Sequence, residues 1–116
     1  MKILILDDDK NLLESLKRIL DRHNHEVDCS DNAKQAVNMV NTGNYDFVLV
    51  DYKMPHNDGI WFMENADMPK QTKTLLITAY ADRAMINRMF ELGASGYLIK
   101  PFDEKEILRH MNFYSK

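Results

Sequence analysis

Cysteine and tryptophan each occur once in these 116 residues, proline three times and glycine four times. A single thiol, Cys29, excludes an intramolecular disulfide and suits a reducing compartment. Cys29 itself reads as a small strand residue. With so little proline and glycine there is no linker, and neither a repeat nor a low-complexity tract divides the chain, so one domain over residues 1–116 is expected. Long hydrophobic runs are also missing. The opening Met1-Lys2-Ile3-Leu4-Ile5-Leu6-Asp7 holds a run of four apolar residues, whereas a signal peptide needs about 7 to 15 and a bilayer span about 20. The expected location is cytoplasmic, with no membrane contact. A basic excess is absent too: 15 Lys and Arg against 18 Asp and Glu give a net charge of -3. Direct nucleic acid contact is therefore not expected. The one basic cluster, Lys17, Arg18 and Arg22, reads as the solvated face of a helix.

What the chain does have is alternation. Short apolar runs at Ile3 to Leu6, His25 to Ser30 (the weakest), Phe47 to Val50, Leu75 to Thr78 and Tyr97 to Ile99 read as buried parallel strands. Between them lie amphipathic stretches. Leu12, Leu13, Leu16, Ile19 and Leu20 recur at helical spacing. A second helix is expected from about Asn32 to Asn41, with Gly43 as a left-handed stop, and a short third one near Gly59 to Ala66, ending before Pro69. Asp82 caps a fourth, carrying Ile86, Met89 and Phe90 and stopping at Gly93; Asp103 caps a fifth, carrying Ile107, Leu108 and Met111. Five β-α units in strict order predict an α/β fold: a doubly wound parallel sheet with helices on both faces and right-handed crossovers.

In such sheets, ligands bind beyond the carboxyl ends of the strands, where the strand order reverses. With order 2-1-3-4-5, Asp7-Asp8-Asp9 after strand one would meet Asp51 at the end of strand three, beside Thr78 and Lys100 at the ends of strands four and five. Asp7, Asp8 and Asp51 bring three negative charges and Lys100 returns one positive. Two like charges ~4 Å apart repel by roughly 4 kcal/mol at an effective dielectric of 20, so the cluster calls for a cation. Hard oxygen ligands suit Mg²⁺, which keeps waters and shares its other positions with phosphate oxygens. A carboxylate nucleophile, a metal, an ammonium and a hydroxyl are the parts of phosphoryl transfer to aspartate.

These residues resemble a known family, the CheY-like receiver domain of two-component response regulators. The resemblance rests on "LDDD" after strand one, "VDYKMPHNDG" (50–59), "LLITAYAD" (75–82) and "GYLIKPF" (96–102), in order and across nearly the whole chain. It implies a flavodoxin-like sandwich. It also implies Asp51 as the phosphoacceptor, Asp8 and Asp51 as direct Mg²⁺ ligands (Mn²⁺ a substitute), Asp7 as a ligand through water, and the Lys53 backbone carbonyl as a further one. Lys100 would pair with the phosphoryl oxygens, and Thr78 would donate its hydroxyl to one of them. The Lys100–Pro101 bond is expected to be cis. Tyr97 matches the family's switch aromatic, turning inward with Thr78 and repacking the surface of helix four, strand five and helix five.

The implied partner is a sensor histidine kinase or a histidine phosphotransferase, with a homodimer possible on phosphorylation. The chain is expected to be a signalling module, catalysing only its own phosphorylation and a slow dephosphorylation. Lys53 and Tyr80, each two residues after a site residue, would crowd the attacking water and prolong the phosphorylated state. His56 and Asn57 read as loop residues. Trp61 reads as a core-edge residue more readily than as an interface anchor. The chain ends about one helix after Lys100, which leaves a stand-alone regulator, a phosphorelay intermediate and a part of a longer transcription regulator all open.

Two other chemistries fit less well. "DDDKN" nearly matches the D-x-D-x-[TV] pattern of haloacid-dehalogenase-type enzymes but fails at Asn11, and no later strand carries a terminal acidic pair. An EF-hand loop from Asp7 keeps the alternation of Asp7, Asp9 and Asn11 but has Leu12 where glycine is needed and Arg18 where the bidentate glutamate belongs. A receiver that is never phosphorylated is disfavoured because every acceptor-site position is filled.

Overall fold

Strands with apolar residues at every position can be buried only between two layers, and that is where these lie. The computed structural model describes residues 1–54, 58–79 and 82–115. Its elements alternate: β1 (Lys2–Leu6), α1 (Lys10–Arg22), β2 (Glu26–Ser30), α2 (Ala33–Thr42), β3 (Phe47–Asp51), α3 (Gly59–Asn65), β4 (Lys73–Thr78), α4 (Arg83–Glu91), β5 (Gly96–Ile99) and α5 (Glu104–Tyr114). All strand pairs are parallel and the order is β2-β1-β3-β4-β5, as the sequence predicts. Among the described residues, no helix is long and apolar enough to cross a membrane.

Alternate side chains of β1, β3 and β4 feed two separate cores. Leu4, Leu6, Val48, Val50 and Leu76 join Ala36, Val40, Phe62, Met85 and Met89 from α2, α3 and α4. Ile3, Ile5, Phe47, Leu49, Leu75, Ile77 and Leu98 join Leu16, Leu20, Ile107 and Met111 from α1 and α5. Each fully buried aliphatic or aromatic side chain contributes roughly 1.5–3 kcal/mol, so the central strands hold the scaffold rigid beneath the loops. β2 lies at the sheet edge and is only partly covered, which explains its weak pattern. Cys29 sits there, half-buried, and burial pushes its thiol pKa up, in keeping with a packing role.

Every helix begins at a polar cap. The side chains of Asp9, Asn32, Asp58, Asp82 and Asp103 accept backbone N–H bonds from the first turns of α1 to α5. Each such cap is worth about 1 kcal/mol, and Asp103 forms a full capping box with Glu106. Trp61, in α3, is partly buried against the α2–α4 core, the core-edge position.

Two local expectations are corrected. Gly43 does not end α2 in a left-handed turn; its φ is -98°, an extended conformation. It is needed for space, because a Cβ there would stand 2.6 Å from Tyr45 Cε2 and 2.8 Å from the Met39 carbonyl oxygen. Phe90 is not an inward residue of α4. Met85 and Met89 take that stripe, and Phe90 is exposed, packing edge-on against Tyr97. Gly93, with φ 112°, does stop α4.

Candidate functional site: an acidic cleft at the strand ends

Parallel pairing brings the ends of β1, β3, β4 and β5 to one edge of the sheet. Asp7 follows β1 directly, and its N–H donates to the Ser30 carbonyl at 3.1 Å, continuing the ladder with β2. Its carboxylate is fully buried. One oxygen, Oδ1, accepts the Asp9 N–H at 2.9 Å; the other, Oδ2, accepts from Lys100 Nζ at 2.7 Å. Asp51, the last residue of β3, is also buried, and its Oδ2 lies 3.3 Å from the same ammonium. Asp8 is exposed at the rim. Ligand oxygens of Asp7, Asp8 and Asp51 all lie within 4.8 Å of one another.

Lys100 reaches the cluster from the turn after β5, held by its N–H to the Thr78 carbonyl at 2.8 Å. The Lys100–Pro101 bond is cis. Thr78 ends β4, fully buried, one strand away from Asp51. The surrounding cleft, about 520 Å³, is lined also by Lys53, Met54 and Ala79. Met54 and Ala79 are contributors that spacing from Asp51 and Thr78 could have flagged, since each closely follows a site residue. Asp9 borders the cleft, but its side chain caps α1 through the N–H groups of Asn11 and Leu12. Tyr80, and with it His56 and Asn57, lies outside the described residues.

Electrostatics sharpen the picture. Burial first, then the neighbouring Asp7 charge, push the Asp51 carboxyl up to about 6, although Lys100 pulls the other way. For Lys100, burial favours the neutral amine, but its hydrogen bond to Asp7 and the charges of Asp7 and Asp51 outweigh that and raise its pKa. A lysine that stays charged and a carboxylate that ionises at a cost are what a net-negative, half-dry site produces. The donor set is all oxygen, one member is exposed to solvent, and the charge imbalance persists after Lys100 is counted. Those three features fit a hard divalent cation.

The family model described as "Response regulator receiver domain" matches residues 3–112. The chain belongs to the response regulator receiver domain family. It is 33% identical over 107 residues to the transcriptional regulatory protein ResD of Bacillus subtilis, covering 92% of this chain and 45% of ResD. The receiver domain thus spans about half the length of the curated relatives it matches. A CheY-like receiver domain protein from Methanospirillum hungatei superposes with a TM-score of 0.93 at 28% identity, over 98% of this chain and 92% of that one. A Burkholderia pseudomallei response regulator, solved with a phosphorylated aspartic acid and a calcium ion, gives 0.86 at 26% identity, over 92% and 64%.

At the opposite edge of this receiver domain from β2, Tyr97 on β5 points out to solvent, 41% exposed, its ring 6.2 Å from that of Phe90 and nearly perpendicular to it. Ile99, two residues on, is equally open.

Proposed function

We propose that this receiver domain takes a phosphoryl group from a phosphohistidine of a sensor kinase or histidine phosphotransferase onto the Asp51 carboxylate. The observation that carries the reading is the convergence of carboxylate oxygens of Asp7, Asp8 and Asp51 within 4.8 Å, with the Lys100 ammonium shared by Asp7 and Asp51. An Asp51 oxygen attacks phosphorus, a P–O bond forms as the P–N bond breaks, and the imidazole leaves with its electron pair and takes up a proton. Asp8, Asp51 and the Lys53 carbonyl would hold Mg²⁺, with Asp7 acting through a water; Mn²⁺ would fit the same donors. Bound there, the ion supplies neutralisation of the phosphoryl oxygens.

The chain's own groups do the remaining work. Lys100, fixed between two carboxylates, needs only a small swing to pair with a phosphoryl oxygen, and Thr78 donates its hydroxyl to another. Tyr97, outward in this structure, turns toward the space beside Thr78, and the α4, β5 and α5 surface repacks. That surface serves as the contact for a second copy or another partner; the domain itself touches no nucleic acid. Slow hydrolysis of the acyl phosphate resets the switch.

Incubation with a small phosphodonor tests this reading. The wild type with Mg²⁺ gains one acid-stable, base-labile phosphoryl group, and Asp51→Asn or added chelator abolishes it. Equal labelling of Asp51→Asn contradicts the assignment.

A further inference from the structure

We propose that Gly59 is a positioning residue for the metal-binding end of β3. Its missing side chain lets α3 abut the backbone that carries Asp51 and Lys53. The proposal rests on the Mg²⁺ reading of the site.

Gly59 opens α3, and among the described glycines only Gly93 has a positive φ. Conformational freedom is therefore not what this position needs. Space is. A Cβ at residue 59 would stand 2.7 Å from the Asp51 carbonyl oxygen, 3.0 Å from Tyr52 Cα and 3.2 Å from Val50 Cγ1. Two of those three neighbours are backbone atoms, the carbonyl oxygen of Asp51 at the end of β3 and the Cα of the residue after it, and no rotamer change can make room there. The Gly59 N–H adds a bond to the Tyr52 carbonyl at 2.8 Å. Helix and strand end are thus locked together one residue past Asp51 and one before Lys53.

Mg²⁺ tolerates little departure from octahedral geometry, and sites of this kind work within about 0.5 Å of their productive arrangement. Relieving a 2.7 Å contact to ordinary van der Waals distance moves α3 or the strand end by a comparable amount. Asp51 and the Lys53 carbonyl move with the strand end; Asp7 and Asp8, which follow β1, do not. The donor set is then split.

Calorimetric titration with Mg²⁺ alone tests this, well below the melting temperature, on the wild type, Gly59→Ala and Asp58→Ala. Asp58→Ala weakens α3 by removing its cap, the bond from the Trp61 N–H at 2.9 Å, but adds no atom near Asp51. Gly59→Ala is expected to lose about tenfold or more in Mg²⁺ affinity, the range seen when groups behind metal ligands are altered, while Asp58→Ala stays within about threefold. Gly59→Ala binding like the wild type, or both variants weakening alike, overturns the proposal. Should Gly59→Ala not fold, hydrogen exchange on the wild type decides: saturating Mg²⁺ protects the Gly59 amide beyond the protection it gives the amides of α4, and equal protection of the two overturns the proposal. Absence of Mg²⁺ binding by the wild type overturns the underlying reading of the site and the proposal with it, an outcome distinct from a variant-specific result.

Discussion

Lys100 Nζ donates to Asp7 Oδ2 at 2.7 Å across 93 residues of sequence, closing a pair whose carboxylate is fully buried. Breaking it leaves an uncompensated charge in the sheet. Lys100→Ala is expected to destabilise the metal-free protein by about 3 kcal/mol. With the competing ammonium gone, Mg²⁺ should bind more tightly and recover part of the loss, while phosphorylation falls. Thermal melts with and without Mg²⁺ check this; a variant that melts like the wild type in both conditions contradicts it.

Asp51 pulls the other way. Its carboxyl, pushed up to about 6 by burial and Asp7, is ionised at neutral pH against its surroundings. Asp51→Asn should therefore stabilise the metal-free domain at pH 7.5, by about 2–3 kcal/mol at roughly 1.4 kcal/mol per pKa unit, since the raised value already includes the pull of Lys100. Urea unfolding in chelator reads this directly. A less stable Asp51→Asn would mean that the site's charge balance is not as described.

Away from the cleft, the buried Tyr45 hydroxyl donates to Asp28 Oδ2 at 2.6 Å. Burial, then Asp28, raise its pKa well above the ordinary 10. A group raised on folding contributes stability that is complete below its unfolded pKa and is lost as pH climbs toward the folded value. The stability difference between wild type and Tyr45→Phe is thus expected to hold steady up to about pH 9.5 and then fall by up to about 1.4 kcal/mol per pH unit. Denaturant midpoints from pH 7 to 11 measure it, and a flat difference above pH 10 contradicts the assignment.

Lys53 lines the cleft beside Asp51 and is exposed. If its side chain obstructs the hydrolytic water, Lys53→Ala shortens the lifetime of the phosphorylated protein severalfold, and Tyr80→Ala does likewise. Phosphate release after removal of the donor is the measurement; unchanged rates in both variants remove the idea.

Much of this was legible in the sequence because the strongest signals were the ones least open to tertiary override. β1, β3 and β4 are buried on both faces, so their runs are unbroken. Asp7, Asp8, Asp51, Thr78 and Lys100 each sit at a strand end, where a parallel sheet gathers residues whatever the loops do. Packing between particular side chains was not legible. Gly43 carries the signature of a helix stop yet serves the Tyr45 ring, and Gly59 reads only as the start of the third helix until the carbonyl of Asp51 is placed against it. Phe90 fits a helical stripe by spacing, but Met85 and Met89 fill the inward positions.

Which carboxylate carries the phosphoryl group can be read chemically. Borohydride reduces an aspartyl phosphate to homoserine, so phosphorylation with Mg²⁺ followed by reduction and peptide mass mapping marks the acceptor. Homoserine is expected at position 51 alone, and none when Mg²⁺ is chelated. Homoserine at Asp7 or Asp8, or the same mark at Asp51 without a divalent cation, would contradict Asp51 as the Mg²⁺-dependent acceptor.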